Sequence, residues 1–371
     1  MQESDLPGLM GRVLWAAFAL AAVFGAIAQR THFCTMGAVA DIFNMGDWRR
    51  MRMWVLAIGV AMIGFNALVA AGVLQAGATI YAGPRLIWLS NVVGGLLFGM
   101  GMVLASGCGS KTLVRMGGGS LKSVVVFCVL AITAYATLRG VVAVARVASV
   151  DRVALTLPAG QDLPSLVAYW SGAGRTTLAL LLGGGGGLLL VLWSLARPEG
   201  RSAEVLLAGL GIGGVIIGVW VVSGVLGHVA EHPVTLEDVY LGTNSHRIES
   251  LSFVAPVAYT LDWLILFSDS SKVLTIGIVT TLGVIAGSAA MALATRSFRW
   301  EGFGGTEDTA NHIGGAALMG VGGVTAMGCT IGQGISGVST LAIGSFIALA
   351  SIVCGAVLAL RYQVWRIERA A

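Results

Sequence analysis

Two segments of the chain each place a cysteine beside a glycine-rich stretch that is expected to interrupt a helix. Residues 97–108 and 318–329 share the pattern L-x-G-x-G-x-V-x-A-x-G-C, which ends at Cys108 in the first segment and at Cys329 in the second. A short glycine-interrupted segment follows each cysteine, at 111–119 and 331–337. A thiol is polarizable and a weak hydrogen-bond donor, so we expect this pair to suit a sulfur-bearing ligand.

The elements that position these thiols predict a duplicated arrangement. A broken apolar hairpin at 31–41, which contains Cys34, has a fainter counterpart at 250–259. Each half then reads as span, hairpin, span, span, Gly-Cys turn and span, and a single span between the halves turns the second one upside down. Inverted repeats with interrupted segments at matching positions indicate a substrate site near the membrane midplane of a secondary transporter. The helix N-termini exposed by such turns suit an anion.

Several other residues near the turns are candidate ligands of that anion. Lys111 follows Cys108 and could draw an anion toward its mouth of the pathway, although snorkelling at the interface explains it equally well. Thr330 and Gln333 could bond an oxyanion, or else satisfy backbone groups freed by the turn. Cys34 is a further candidate. Cys128 and Cys354 lie in the middle of spans and are interpreted as small hydrophobic residues.

Composition places the whole chain in a bilayer. Of 371 residues, 56% are hydrophobic and only 11% are charged, and the mean hydropathy is +0.87. A soluble domain has roughly 25% charged residues. The net charge of +4 is modest and the basic residues are dispersed, which excludes nucleic acid as a partner. Five cysteines without C-x-x-C spacing indicate neither a disulfide framework nor a zinc site.

Nine apolar segments are long enough to cross a bilayer as helices. The predicted spans are 9–28, 53–74, 88–106, 119–138, 176–196, 203–227, 272–295, 311–327 and 339–360. Glu3 and Asp5 precede the first span and no cleavage site follows it, so we expect it to be retained. With the N-terminus outside, inside connections hold fourteen basic residues and outside segments eight, which favours a cytoplasmic C-terminus.

Other motifs that resemble known sites are better explained by packing. Gly209-x-Gly211-x-x-Gly214 lies inside an apolar span without a preceding strand, and the glycine run at 183–187 lacks the Lys-Ser/Thr of a phosphate loop. His228 and His232 have helical spacing, but Pro233 breaks the segment and no HExxH pattern is present. The sequence therefore predicts no cofactor and no metal.

Three stretches carry a resemblance to a known family. Residues 29–37 (Q-R-T-H-F-C-T-M-G), 105–117 (A-S-G-C-G-S-K-T-L-V-R-M-G) and 327–334 (M-G-C-T-I-G-Q-G) resemble the YeeE/YedE membrane family, which includes bacterial thiosulfate transporters. The resemblance implies an inner-membrane protein with short re-entrant helices and with pathway thiols at Cys108 and Cys329. Some relatives are associated with selenium or persulfide sulfur, and small sulfur-carrier proteins of the TusA type can accompany the family.

These observations predict an all-α integral membrane protein of about nine transmembrane helices, forming one transport domain over 1–371. Its parts are a first repeat at 9–138, a linking span at 176–196 and an inverted second repeat at 203–360. We expect it to carry a small sulfur anion, with thiosulfate as the favoured substrate, across the bacterial inner membrane. The rival hypothesis is a membrane sulfurtransferase that holds a persulfide on Cys108 or Cys329. A third is a non-transporting assembly subunit. The energy source stays open.

Overall fold

The chain is built almost entirely of helices, which confirms the predicted all-α membrane class. The computed structural model describes residues 5–233 and 236–370. Within them, eight helical segments are long and apolar enough to cross a bilayer. These segments are Leu6–Met45, Arg49–Ala70, Trp88–Gly117, Leu121–Arg139, Arg175–Leu195, Ala203–Leu226, Ile276–Ala294 and Ile343–Arg369.

The helices follow the predicted order closely. In chain order they are α1 (Leu6–Thr31), α2 (Thr35–Met45), α3 (Arg49–Ala70), α4 (Trp88–Leu104), α5 (Gly109–Gly117), α6 (Leu121–Arg139), α7 (Val141–Ala148), α8 (Leu163–Ser171), α9 (Arg175–Leu178), α10 (Gly185–Leu195), α11 (Ala203–Val221), α12 (Ala255–Ile265), α13 (Ile276–Ala294), α14 (Thr306–Thr325) and α15 (Ile343–Ala370). Wider π-helical turns occupy Ala179–Gly184, Val222–Leu226 and Gly332–Gly337. The wide turns thus continue α9 into α10, extend α11 and precede α15.

The predicted span at 311–327 corresponds to α14, which is less apolar than the eight segments above. Glu307 and Asp308 lie in its first turn and His312 follows one turn later. The helix nevertheless packs along both α4 and α6 in the interior of the bundle. Neighbouring helices rather than lipid therefore surround much of α14, and a lower apolar content suffices there.

Glycine allows the long helices to touch backbone to backbone. A β-carbon at Gly287 of α13 would lie 1.9 Å from the carbonyl oxygen of Ala22 in α1. One at Gly99 of α4 would lie 2.1 Å from the carbonyl oxygen of Ile352 in α15. Close approach of this kind is the usual role of small residues between membrane helices, and it explains why the chain has 54 glycines.

Helix packing exchanges the two halves of the chain in a regular way. Helix α1 packs on α13 as α11 packs on α3, and α4 packs on α15 as α14 packs on α6. The short elements follow the same exchange, since α5 lies on α13 where the Gly332–Gly337 turn lies on α3. Each long helix of 6–139 thus packs on a long helix of the second half.

The ends of the helices define two faces of the molecule. The end of α1, the starts of α3 and α6 and the end of α13 lie at one face. The opposite face holds the end of α3, the start of α4 and the connections after α6 and α11. Two short antiparallel ladders lie there: β1 (Arg85–Leu86) pairs with β2 (Leu155–Thr156), and β3 (His228–Val229) pairs with β4 (Val239–Tyr240).

Candidate substrate pathway

Cys34 and Cys329 occupy turns of the same local geometry. Cys34 precedes the first turn of α2, and its sulfur accepts a hydrogen bond from the Gly37 amide at 3.4 Å. Cys329 likewise accepts from the Gly332 amide at 3.4 Å. The two stretches read C-T-M-G and C-T-I-G, so the same side chains produce the same turn. Both thiols are buried.

Cys108 lies where the turns meet. It precedes α5, its thiol hydrogen-bonds the Ser110 hydroxyl at 3.3 Å, and its side chain is fully buried. The Cys34 thiol lies close enough to interact electrostatically with that of Cys108. Thr330 also approaches this thiol, although without the alignment of a hydrogen bond. The three cysteines predicted as ligands therefore lie close together in the interior, with Cys108 near both of the others.

Two threonines beside the thiols keep unsatisfied hydroxyls. Thr35 follows Cys34 and Thr330 follows Cys329, and each hydroxyl is buried without a hydrogen-bond partner among the described residues. An unsatisfied buried hydroxyl costs about 1–3 kcal/mol. Both hydroxyls are therefore free to bond a polar ligand or a water molecule.

A cavity of about 680 Å³ opens from Cys34 to one face of the molecule. We call it the Lys111 vestibule, and its charged and polar lining consists of Gln29, His32, Arg50, Ser106, Lys111, Arg115, Ser120, Ser297, Arg299 and Glu301, the last of which pairs with Lys122. Among the described residues, neither Lys111 nor Arg115 belongs to an ion pair, whereas Arg50 pairs with Asp41 at 3.3 Å. Its uncompensated positive charge attracts anions.

A second vestibule opens to the opposite face. It consists of two adjoining compartments of about 300 and 460 Å³, which share Ile80, Tyr81, Ile87, Ser245 and Met327. We call it the Glu249 vestibule; further lining residues are Arg85, Asn91, Arg146, Asp151, Gln161, Arg247, Glu249, Ser252, Gly328 and Gln333. Its lining carries two acidic residues, Asp151 and Glu249, beside its arginines, whereas Glu301 is the one acidic residue of the described chain in the mainly basic lining of the Lys111 vestibule.

The cysteine-bearing turns contact the segment that precedes α12. In this segment Phe253 packs on Phe24 with 5.5 Å between the ring centroids, and its backbone amide lies close to the Cys329 sulfur. A β-carbon at Gly332 would lie 2.6 Å from the Ser252 hydroxyl, and one at Gly109 would lie 2.7 Å from the Phe253 carbonyl oxygen. Glycine is thus required in both turns where they contact the segment before α12.

Gln333, the remaining predicted site residue, lines one vestibule and supports a turn. Gln333 is buried in the turn that lines the Glu249 vestibule, and its amide nitrogen donates to the Ala326 carbonyl oxygen at 2.6 Å. Its amide oxygen accepts from the Ser345 hydroxyl at 2.6 Å. The side chain therefore ties the end of α14 to the start of α15. Cys128 is partly buried and Cys354 is exposed on its helix, and neither lines a vestibule.

Sequence reasoning missed several residues that the fold brings to the pathway. Thr35, His32 and Arg50 join the Lys111 side, and Tyr81 and Glu249 join the other. The likeness of C-T-M-G to C-T-I-G was a usable signal for Thr35. Tyr81 and Glu249 come from connections without internal pattern, so their positions emerge only from the tertiary fold.

Comparison with known proteins identifies a family and several relatives. The sulphur transport family matches residues 30–358. The thiosulfate transporter TsuA of Escherichia coli K12 is 25% identical over 347 residues, covering 90% of each chain. The protein of the same name from Spirochaeta thermophila is 27% identical over 361 residues, covering 92% of this chain and 97% of its own. The probable transporter YedE of Escherichia coli K12 is 31% identical over 94 residues, which is 25% of this chain and 21% of its own length.

The family match includes all three cysteine-bearing turns, both vestibules and every long helix from α3 to α14. The eight apolar segments and the predicted family resemblance lead to the same assignment. This chain is a multi-pass membrane protein that belongs to the sulphur transport family, YeeE/YedE.

Proposed function

We propose that the chain transports thiosulfate through the buried path that joins the two vestibules. The anion enters the Glu249 vestibule, passes Cys329, Cys108 and Cys34, and leaves through the Lys111 vestibule. The observation that carries this proposal is the meeting of the cysteine-bearing turns, with two unsatisfied threonine hydroxyls beside them. The names of the two TsuA relatives support the choice of substrate.

The chemistry of the path fits a dianion that carries both oxygen and sulfur. Thiol and hydroxyl groups donate hydrogen bonds without carrying a full charge, so each holds the anion without trapping it. Thr35 and Thr330 would donate to sulfonate oxygens, whereas the polarizable thiols suit the terminal sulfur. Lys111 contributes positive charge at the exit, and Gln333 supports the turn that carries Cys329 and Thr330.

We also propose the inverted repeat and its orientation in the inner membrane. The exchanged packing of 9–138 and 203–360 around the linking span 176–196 is the arrangement expected of halves related by a two-fold axis in the membrane plane. The Lys111 vestibule faces the cytoplasm because the basic connections cluster on its side. The N-terminus is then outside and the C-terminus cytoplasmic.

A cytoplasmic partner fits the same orientation. The Lys111 vestibule presents uncompensated basic residues at the exit of the path. A small TusA-like sulfur carrier that docks over this mouth would receive the anion directly, and the transporter itself would change no bond of its substrate. We expect acidic residues on the docking surface of such a carrier.

Uptake of radiolabelled thiosulfate into proteoliposomes tests the transport proposal. Cys108→Ala and Cys329→Ala should each lower initial uptake by about tenfold or more, as expected when a hydrogen bond to a charged group is lost. Cys329→Ala should be at least as damaging as Cys108→Ala. Cys128→Ala and Cys354→Ala are matched controls away from the path and should transport as the wild type does. Equal tolerance of all four substitutions would contradict the thiol pathway.

The contact between the Cys34 and Cys108 thiols favours one second candidate, a membrane sulfurtransferase. A cysteine thiolate would attack the outer sulfur of thiosulfate, form a cysteine persulfide and release sulfite. Mass spectrometry of protein incubated with thiosulfate distinguishes the two functions. A transporter keeps its mass, whereas a sulfurtransferase gains one sulfur atom on Cys108 or Cys329 and releases sulfite.

A further inference from the structure

A carboxyl group is buried in the wall of the proposed entrance. Glu249 lies in the connection between the Val222–Leu226 turn and α12, outside the membrane-spanning helices, and it lines the larger vestibule together with Arg146, Ser252 and Gly328. The side chain is almost completely enclosed by protein. A negative charge in this position would oppose a dianion that enters the vestibule.

The backbone around Glu249 holds the carboxyl group in place. Its Oε1 atom accepts from the Ser245 amide at 2.9 Å and also from the Ser245 hydroxyl. The chain itself is fixed on α11 and the turn after it, because the Ser223 hydroxyl donates to the Glu249 carbonyl oxygen at 2.5 Å and the Ser250 hydroxyl donates to the Ile216 carbonyl oxygen at 3.0 Å. The carboxyl group cannot turn away from the vestibule without breaking this anchor.

No cationic side chain of the described residues forms an ion pair with Glu249. Arg146, a basic residue of the same lining, pairs with Asp151 at 2.7 Å. Asp151 also accepts from the Ser90 hydroxyl at 2.6 Å, and the Nε atom of Arg146 is buried without a partner among the described residues. Burial raises the pKa of the Glu249 carboxyl, while the hydrogen bonds from Ser245 act in the opposite direction.

Tyr81 connects Glu249 to the thiol path. The phenol interacts electrostatically with both the Glu249 carboxyl and the Cys329 thiol. A β-carbon at Gly332 would lie 3.3 Å from its hydroxyl oxygen. The titratable and charged groups that face Glu249 are therefore Tyr81 from the segment after α3, Tyr259 from α12, Arg146 from α7, and His246 and Arg247 from its own connection.

We propose that Glu249 is a proton-binding site linked to the anion: the carboxyl group takes up a proton when thiosulfate occupies the vestibule. This inference rests on the proposed function and adds a second ligand, the proton, to the same entrance. A proton from external water forms an O–H bond with the carboxylate, and the neutral acid no longer repels the dianion. Because linkage is reciprocal, lower external pH must tighten thiosulfate binding, and thiosulfate must raise the proton affinity of Glu249.

The direction of the pH effect follows from the titration of an acid. Above its pKa, Glu249 is negative and opposes the anion, so the apparent Kd for thiosulfate should rise with pH by up to about tenfold per unit. Below the pKa the site is neutral and the Kd should be constant. Glu249→Gln keeps the shape and one acceptor oxygen for Ser245 but stays neutral, so its Kd should remain low at every pH.

Titration calorimetry on the purified full chain tests this directly, with sodium thiosulfate in two buffers of different ionisation enthalpy. In the pH range where its Kd changes, the wild type should take up a measurable fraction of a proton per anion bound, and Glu249→Gln should take up none. Glu231→Gln, an exposed acid of the same connection, is the matched control and should behave as the wild type does. Proton uptake that persists in Glu249→Gln would overturn the proposal.

A second variant keeps the test decisive if Glu249→Gln does not fold. Ser245→Ala removes one hydrogen bond to the carboxylate, so the charged form is less stable and the pH at which affinity falls should move upward. An unchanged midpoint would overturn the proposal. Thiosulfate binding without proton uptake in the wild type contradicts only the proton site. Absence of thiosulfate binding and exchange at every pH would remove the proposed function, and this inference with it.

Discussion

At the residue scale, the repeated Gly-Cys pattern was the most informative signal. It singled out Cys108 and Cys329, and the fold brings Cys108 close to both Cys329 and Cys34. Comparison of the first hairpin with 250–259 left Cys34 uncertain, because that segment contains no cysteine. The closer likeness is local, between the turns at Cys34 and Cys329. Sequence spacing could not reveal Glu249, since its burial depends on contacts with α11 and α12. The binding roles themselves stay predictions.

The unsatisfied threonine hydroxyls lead to a prediction in which stability and transport change in opposite directions. Thr330→Val removes a buried hydroxyl that has no partner in the described chain, so the free energy of unfolding should stay constant or rise by about 1–3 kcal/mol. The same change removes a donor to the anion, so the KM for thiosulfate should increase by about tenfold or more. Thermal unfolding in detergent and proteoliposome uptake measure the two effects, and Thr35→Val should behave alike.

Thr340→Val is the matched control for this pair. Its hydroxyl is equally buried but donates to the Gly337 carbonyl oxygen at 2.7 Å. This substitution breaks a satisfied bond, so it should lower the melting temperature and leave the KM nearly constant. A fall in stability for Thr330→Val with an unchanged KM would show that its hydroxyl serves the fold alone.

At the element scale, hydropathy located the helices well and their ends less well. Every predicted span overlaps a helix of the structure. An apolar segment of about 20 residues crosses the bilayer as a helix because only internal hydrogen bonds can satisfy its backbone N–H and C=O groups there. The last span was predicted at 339–360, but α15 covers Ile343–Ala370. A turn at 340–341, in which Leu341 has a positive φ, delays its start, and Arg361, Arg366 and Arg369 continue the helix beyond the apolar stretch. Hydropathy does not detect either feature.

The glycine contacts between helices predict that the effect of a glycine-to-alanine substitution on stability depends strongly on its position. Gly287→Ala places a β-carbon 1.9 Å from the Ala22 carbonyl oxygen, so α1 and α13 must separate. We expect a loss of about 1–3 kcal/mol in the free energy of unfolding, the usual effect of overpacking. Gly185→Ala is the control, since no atom lies within 4 Å of its added carbon. Thermal unfolding in detergent compares them, and equal melting temperatures would contradict the packing role of Gly287.

At the scale of the whole molecule, the order of elements was predictable and their mutual arrangement was not. Counting spans places 203–360 upside down relative to 9–138, but it does not say which helices touch. The structure shows that partners are exchanged between halves, α1 with α13 and α11 with α3. Contacts of this kind join residues hundreds of positions apart. They depend on helix surfaces rather than on local pattern, which is why the sequence alone did not provide them.

The proposed orientation predicts opposite labelling of the two ends of α13. Ser271 lies before the helix on the face of the Glu249 vestibule, and Ser297 follows it on the other face. Both are exposed. In a Cys354→Ala background, a membrane-impermeant maleimide added to spheroplasts should label Ser271→Cys at once. Ser297→Cys should react only after permeabilisation. The reverse pattern would place the Lys111 vestibule outside the cell and invert the proposed direction of entry.

Direct backbone contact between the long helices also limits how the molecule can move. Where Gly99 meets Ile352 and Gly101 meets Gly315, the helix backbones are in direct contact, with no layer of side chains between them along which they could slide. Sliding one helix past its neighbour would drive carbonyl oxygens into each other, so the bundle must keep its register through each cycle. Under the proposed function, we therefore expect the path to open through the short cysteine-bearing turns and the Phe253 segment that they contact. In this proposal the long helices form a rigid frame, and only the short segments between them move.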